Sequence, residues 1–469
     1  MFKVIDSLLS ELRPCFSREA SFAWFVIIVV GLIVRFDHYG ATSFIRWLFL
    51  DPQCYGLMLR FFRTSSWSVR VLMERWSRAV INRYPVVEIE GRVLQIGDTI
   101  KVGKEARKMP GVKKLHQESD DNAKPEWIRG HHFAFIGLLA GSLAKTFCIP
   151  IEGRITEGVG DLLGESPSDT IISRMVRLAI LKATQIGRLC YLVVDAYFAV
   201  GPAFLLLKAA RNGKGEQLVH LITRAKENYV GFYDRGEKRY REKDKVRLID
   251  VCDFPRLFEK AQVMIKGELK TISYCCVDLI WQPVDGLIRF VCVLDGKERY
   301  ILMSSDLTLS GSQIIAIYGY RVRIEAMFLA LKHLLGGFCY HFWTKSFPAL
   351  KKGAKLDAVK LDEGARKKLA QAVDAIEKFV NLAAIALGLL DYISLTHKDR
   401  IWNLYQGWLR TFSSDYPSEG VVQSVLRSEF FTSLGGASAT RKVPSSRTLR
   451  LILEKGRPSR NESELEDVA

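Results

Sequence analysis

The chain has 469 residues, 48% of them hydrophobic, which is enough apolar mass for two or three structural units and excludes disorder as the default state. Its 68 Lys and Arg against 51 Asp and Glu leave a formal charge of +17, which favours polyanionic partners, either nucleic acid or an anionic membrane surface. Nine cysteines occur without a C-x-x-C pair or zinc-ligand spacing, so they read as reduced, mostly buried thiols.

Taken in chain order, residues 1–86 form an expected N-terminal helical domain that could bind DNA ends. Residues 1–14 read as a short amphipathic helix, with no cleavable leader pattern, so a cytoplasmic location is expected. The run 22–34 is continuously apolar, but its 13 residues fall short of the roughly 20 that a bilayer crossing needs. A buried helix or strand is expected there, with a membrane anchor as the alternative. Arg60, Arg63, Arg70, Arg75 and Arg78 supply a basic face to the helices that follow.

From residue 87 the pattern changes to strands, at 93–102, 133–139 and 147–151. A helix is expected from Ser166, where Ser166 and Asp169 resemble a capping box and Pro167 suits the first turn. An apolar strand at 190–194, a helix at 203–210 and a strand at 218–223 complete an α/β layer over 87–225. Residues 226–309 are strand-rich, at 246–251, 263–266, 271–280, 287–294 and 300–303, and read as a β-rich insertion with a basic edge. Ser310 and Gln313 form a second capping box, opening a long helix that should end near Gly336 and Gly337 within a segment 310–350. A C-terminal helical region, 351–436, follows a linker containing Lys351, Lys352 and Lys355, with helices at 361–390 and 400–412. The polar tail 437–469 is expected to be disordered.

The long helix carries the most suggestive chemistry. Tyr318, Arg321, Glu325 and Lys332 fall within roughly a 60° arc at about 100° per residue, placing a carboxylate among a phenol, a guanidinium and an ammonium. That set suits a divalent metal beside a phosphodiester, whereas the plain alternative is a solvated helix face with an Arg321–Glu325 ion pair. The Y-x2-R-x3-E-x6-K spacing resembles the signature of the insertion-sequence-four group of bacterial DDE transposases, and the segment Tyr340, His341, Phe342, Trp343 is similar to one branch of it. So is a run comprising Lys101, Lys104, Glu105, Met109, Pro110, Gly111, Val112, Lys113, His116, Gln117, Glu118, Ser119, Lys124, Pro125, Gly130 and His131. The resemblance covers nearly all of residues 15–435.

Two further acids are then sought upstream, because two-metal phosphoryl transfer needs converging carboxylates. Asp195 follows an apolar strand. Asp98 lies within another, beside Gly97, which would allow close approach of backbone or ligand. The order of strand acid, strand acid and helical glutamate resembles an interrupted ribonuclease-H-like core with flanking helical regions. Asp306 also follows an apolar strand and competes with Asp195 for the second role. One departure from the resemblance is that Ala196 and Tyr197 stand where many relatives follow the second acid with arginine.

The resemblance implies that Asp98, Asp195 and Glu325 hold two Mg2+ ions, with Mn2+ as a substitute. It also implies that Tyr318, Arg321 and Lys332 contact DNA phosphates and that Trp281 stacks a flipped base, although a tryptophan in an apolar strand is core by default. Lys101 and Lys104, with Arg107, Lys108, Lys113 and Lys114, form a basic run that could join the phosphate contacts. His116, His131 and His132 could assist proton transfer or simply hydrogen-bond in a loop. The implied protein is a nucleoid-associated bacterial homodimer that binds the double-stranded ends of its own element and a target duplex, cuts and rejoins them, and needs no membrane. A hairpin on the element end belongs to the same implication. The alternative is a transposase-derived DNA-binding protein without activity.

Overall fold

A computed structural model describes residues 1–104, 106, 108–117, 125–142, 145–159, 169–236, 240–265, 268–296, 298–347, 361–410, 415–440 and 444–456, with the backbone alone at 255 and 436–440. They divide into two compact units. One comprises Met1–Ala79, Glu105–Val112 and Leu329–Ala469, and the other Val80–Lys104 and Lys113–Phe328.

The first unit begins with α1 (Phe2–Ser10), α2 (Glu19–Val34), α3 (Gly40–Trp47) and α4 (Cys54–Arg63), and α5 (Val69–Arg83) leads out of it. The apolar run is a helix, and every residue of 22–34 is buried. A helix that is apolar all round has no solvent face to offer, so it packs on all sides. Gly31 shows how tightly, since a Cβ added there would lie 2.6 Å from the Phe44 ring of α3.

The second unit is mixed α/β around one large sheet. Its strands are β1 (Glu88–Ile89), β2 (Arg92–Gly103), β3 (Lys113–His116), β4 (Trp127–Gly141), β5 (Thr146–Ile155), β6 (Cys190–Val193), β7 (Val219–Arg224), β8 (Val230–Phe232), β9 (Lys245–Arg247), β10 (Glu259–Ile265), β11 (Glu268–Trp281), β12 (Gly286–Asp295) and β13 (Glu298–Ser304). The order is β3-β4-β2-β6-β7-β13-β12-β11-β8-β9, with β5 on β4, β1 on β2 and β10 on β11. β4 runs antiparallel to β2, whereas β6 is parallel to β2 and β7 parallel to β6.

The strands of the expected β-rich insertion continue this sheet, because β13 pairs with β7. Within them, the strand expected at 246–251 is the short β9 followed by a helical turn, α8 (Leu248–Val251).

Helices cover both faces of the sheet. On one lies α6 (Ile171–Ile186), capped by Thr170 and Ser173 rather than by the expected pair; Ser166 and Pro167 lie outside the described residues. Lys182 of α6 forms a buried ion pair with Glu152 of β5, and Gln95 of β2 donates to the Ala179 carbonyl. α7 (Gly201–Ala209) follows β6. On the other face lie α9 (Gly311–Gly319), opened by the expected Ser310 and Gln313 capping box, and α10 (Arg323–Leu329). The expected single helix is therefore interrupted, by a 3-10 turn at Tyr320–Val322 and again by a π turn at Ala330–Leu334.

The first unit is completed by α11 (Glu363–Thr396), α12 (Lys398–Leu404), α13 (Glu419–Thr440) and α14 (Arg447–Leu453). α11 packs against α2 and α4, so the N-terminal and C-terminal helical regions share one core. α14 falls inside the tail that composition marked as disordered. Its Thr448, Leu449 and Ile452 are buried and Asp6 of α1 accepts bonds from the Arg447 and Thr448 amides, so burial of a short apolar stripe orders it. Among the described residues α11 alone is long and apolar enough to cross a membrane, and 83% of its apolar stretch is buried within the protein. The linker lysines 351, 352 and 355 lie outside the described residues.

Candidate active site

The site is built at the carboxyl end of a parallel strand pair. Ile96 of β2 sits opposite Val193 of β6, and Asp98 and Asp195 each lie two residues further along. Side chains alternate along strands and align across a parallel junction, so the two carboxylates stand level on one face of the sheet. Gly97 points to the other face, where a Cβ would come 3.1 Å from Ile136 and Val194 and 3.2 Å from Leu192. Its lack of a side chain therefore serves core packing rather than approach of a ligand.

Glu325 arrives on α10. Phe328, one helical turn later, meets edge-on the ring of Phe135, the residue paired with Asp98, at 5.5 Å. Arg323 donates from Nε to the Thr146 hydroxyl at 3.1 Å, so the turn bearing Glu325 is pinned across β4 and β5. Arg321, in the 3-10 turn, links the acids: Nη1 donates to Oδ2 of Asp98 at 3.4 Å and Nη2 to Oε1 of Glu325 at 2.5 Å. Tyr318, in the last turn of α9, lies close enough to Arg321 for each to act electrostatically on the other.

The electrostatics follow from this crowding. Burial and then the negative Asp195 push the Asp98 carboxyl up to about 6, and Glu325 adds to the push. The Thr99 amide, 2.7 Å from Oδ1, and the Arg321 guanidinium pull the other way and do not prevail. The Asp98 side chain is 17% exposed and that of Glu325 53%, so Asp98 bears the cost of shared negative charge while Glu325 is half in solvent. Asp195 is held by its own turn, accepting from the Tyr197 amide at 3.1 Å, and its carbonyl accepts from the Thr223 hydroxyl at 2.6 Å. Among the described residues no three His, Cys, Asp or Glu side chains gather closely enough to hold a metal ion as they stand.

Asp306 is placed elsewhere. It follows β13, whose Ser304 pairs with Ile222 while Leu302 pairs with Arg224, so the chain leaves at the amino end of β7, away from Asp195. Burial would raise its carboxyl, but the Thr308 hydroxyl and amide at 2.7 and 2.9 Å, together with His220 and the Tyr191 hydroxyl at 2.9 Å, hold it below the ordinary value. An acid so fully bonded anchors the β13 exit.

The other expected contacts separate. Trp281 is 3% exposed, packed against Phe204 at 5.4 Å and Tyr229 at 5.3 Å, and so is a core residue here rather than a stacking platform. Lys101 pairs with His132 and by alternation projects from the face opposite Asp98, whereas Lys104 lies on the face of Asp98 six residues on. Lys332 lies in the π turn, within the first unit, where the spacing of a regular α-helix no longer applies. His131 and His132 are buried on β4, opposite Val102 and Lys101 rather than Asp98. His132 Nδ1 is bonded to the Thr156 hydroxyl at 2.6 Å, and burial lowers that ring to about 4, with Glu157 opposing and Lys101 and Lys113 assisting. Glu105, Arg107, Glu118, Ser119 and Lys124 lie outside the described residues.

One residue passed over in the sequence borders the acids. Arg224 ends β7, its guanidinium 5.6 Å from the Tyr300 ring centre, and it and Asp195 both act electrostatically on Tyr318. Tyr197, two residues after Asp195, is 46% exposed. A charged residue closing an apolar strand, as Arg224 does, was the available signal. The chain matches no known family model and no curated protein.

Proposed function

We propose that this protein is a DDE-type DNA transposase that binds the terminal inverted repeats of its own element and cuts and rejoins DNA with Asp98, Asp195 and Glu325. The observation that carries the reading is the level placement of Asp98 and Asp195 on adjacent parallel strands, with Glu325 brought to Asp98 through Arg321. Support for a ribonuclease-H-like core comes from the order β5-β4-β2-β6-β7, in which three antiparallel strands precede two parallel ones. The sequence between β7 and α9 then supplies the interruption.

The residues present fit divalent metal. Asp98 feels the negative charge of both Asp195 and Glu325, and a cation that drew the three carboxylates together would offset the repulsion that, with burial, raises Asp98. Bound there, Mg2+ would stabilise charge building on the phosphate oxygens during in-line displacement. Arg321 and Tyr318 would turn from the acids to a phosphate, the guanidinium offering paired donors and the phenol one more. Seated as it is between Asp98 and Glu325, Arg321 would hold the acids' charge in check until DNA arrives.

The test is incubation of the purified chain and Mg2+ with DNA carrying the flanking ends of its own gene. Wild type should cut at those ends, and Glu325→Gln should lose at least ~1,000-fold in cleavage while keeping end binding. Full activity of Glu325→Gln would remove this site assignment. Binding without cleavage by the wild type would favour an inactive, transposase-derived DNA-binding protein.

A further inference from the structure

The long hairpin beyond the acids carries one face that is buried near the acids and exposed at its far end. Along β4, Trp127, Arg129, His131, Phe133 and Phe135 alternate onto one face, the last of them opposite Asp98. On β3, Lys114 lies opposite Arg129 and His116 opposite Trp127. Lys114, His116, Trp127 and Arg129 are all exposed, whereas Leu115 and Gly130, on the reverse face, are buried. Lys104, half-buried, borders this end, its amide donating to the Arg129 carbonyl at 2.8 Å.

This end is organised around an aromatic ring. Trp127 is 44% exposed, the Lys114 ammonium lies 4.2 Å from its ring centre, and the His116 ring meets it edge-on at 4.8 Å. The ring thus holds Lys114 in place at the surface instead of leaving it to swing freely. Among the described residues one acid reaches this end, Glu126, 3.6 Å from His116, and the cations Lys114 and Arg129 stand level with each other on the exposed face.

Resting on the proposed function, we infer that this hairpin end is a docking surface for the phosphodiester backbone of duplex DNA, holding the strand that leads away from the acids. Charge sets the class of partner, since neighbouring cations on one sheet face, Lys114 and Arg129, complement successive phosphates. Distance sets which phosphates are touched. Six residues separate Asp98 from Lys104 and eight separate Phe135 from Trp127, which at about 3.3 Å per residue is about 20 to 26 Å. At 3.4 Å per nucleotide, the contact falls about six to eight nucleotides from the phosphate held at the acids.

The test measures the salt dependence of duplex binding for wild type and for Lys114→Gln/Arg129→Gln, by fluorescence anisotropy. Two lost phosphate contacts should lower the slope of log K against log salt by about 1.8. A duplex of unrelated sequence serves as well as the element end, because phosphate contacts are independent of sequence, so the result stands or falls separately from cleavage. Circular dichroism confirms that the variant is folded, and Trp127→Phe, which keeps an aromatic ring, should bind close to wild type. With element-end duplexes, trimming from ten to four base pairs beyond the cleavage position should weaken wild type and leave the double variant unaffected. An unchanged salt slope, or equal sensitivity of both proteins to trimming, overturns the inference.

Discussion

Arg35 in the helical unit and Asp98 in the sheet unit show buried charge treated in opposite ways. In the helical unit Arg35, with no exposed surface, donates to the carbonyls of Leu335 and Gly336 at 2.8 and 3.2 Å and of Gly40 at 3.3 Å. Its guanidinium also lies 4.8 Å from the Phe44 ring centre. Burial lowers its pKa to about 10, yet it stays charged at neutral pH and closes the carbonyl end of the π turn. Lys378 is similarly placed, donating to the Thr64 carbonyl at 2.6 Å and pairing with Asp374 at 2.7 Å. In the sheet unit, Asp98 is instead set beside other acids and raised. Charge that is matched supports a fold, whereas charge left opposed at a strand end is characteristic of a site awaiting a partner.

The comparison can be broken most directly at Arg35. Arg35→Ala should cost roughly 4 kcal/mol in chemical denaturation, by stranding helix-end carbonyls and leaving a cavity, and Arg35→Met, which keeps the volume, should cost less. A loss under 1 kcal/mol for Arg35→Ala would mean that the cation does not hold this helix end.

Asp98→Asn should act with the opposite sign. The Asp98 carboxyl titrates near 6 in the folded chain against 3.8 ordinarily, so the folded state keeps the proton longer and stability falls as pH rises through that interval. Without divalent metal, the variant should therefore be more stable than wild type by about 3 kcal/mol at pH 8, a gain that falls away towards pH 4. Asp306→Asn, which disturbs a satisfied acid, should destabilise at pH 8. Thermal melts of the three proteins at both pH values in EDTA check the pair, and destabilisation by Asp98→Asn would mean that its charge is matched after all.

The smallest effect belongs to His132. Its ring takes a proton near 4 when folded but near 6.5 ordinarily, so stability is lost as pH falls through that interval. At pH 5 this amounts to about 2 kcal/mol, and His132→Gln should flatten the acid limb of a stability-pH profile. An unchanged acid limb would show that other groups govern it.

What the sequence determined by itself is what short-range chemistry specifies. Apolar runs or alternation place β2, β4, β5, β11 and β12 at or near the expected strands, because the clustering of apolar residues along a short segment is a local property. The Ser310 and Gln313 cap is legible for the same reason, as is burial of 22–34, whose residues have no polar face to expose. Tertiary structure alone decided the rest. Asp195 and Asp306 each follow an apolar strand, and only register separates them, one level with Asp98 and the other bonded to Tyr191 and Thr308 at a different strand end. A run of strands does not encode which edge it joins, so the sheet's continuation from β7 into β13 was invisible. Trp281 was equally ambiguous, because an apolar strand shows that one face is buried without showing what covers it, and here Phe204 and Tyr229 do. The break between α9 and α10 is the clearest case. The sequence favours helix throughout, whereas the Arg321 contact to Asp98 and the Arg323 anchor on Thr146 are bonds to residues far away in the chain, and these accompany the departure from regular helix.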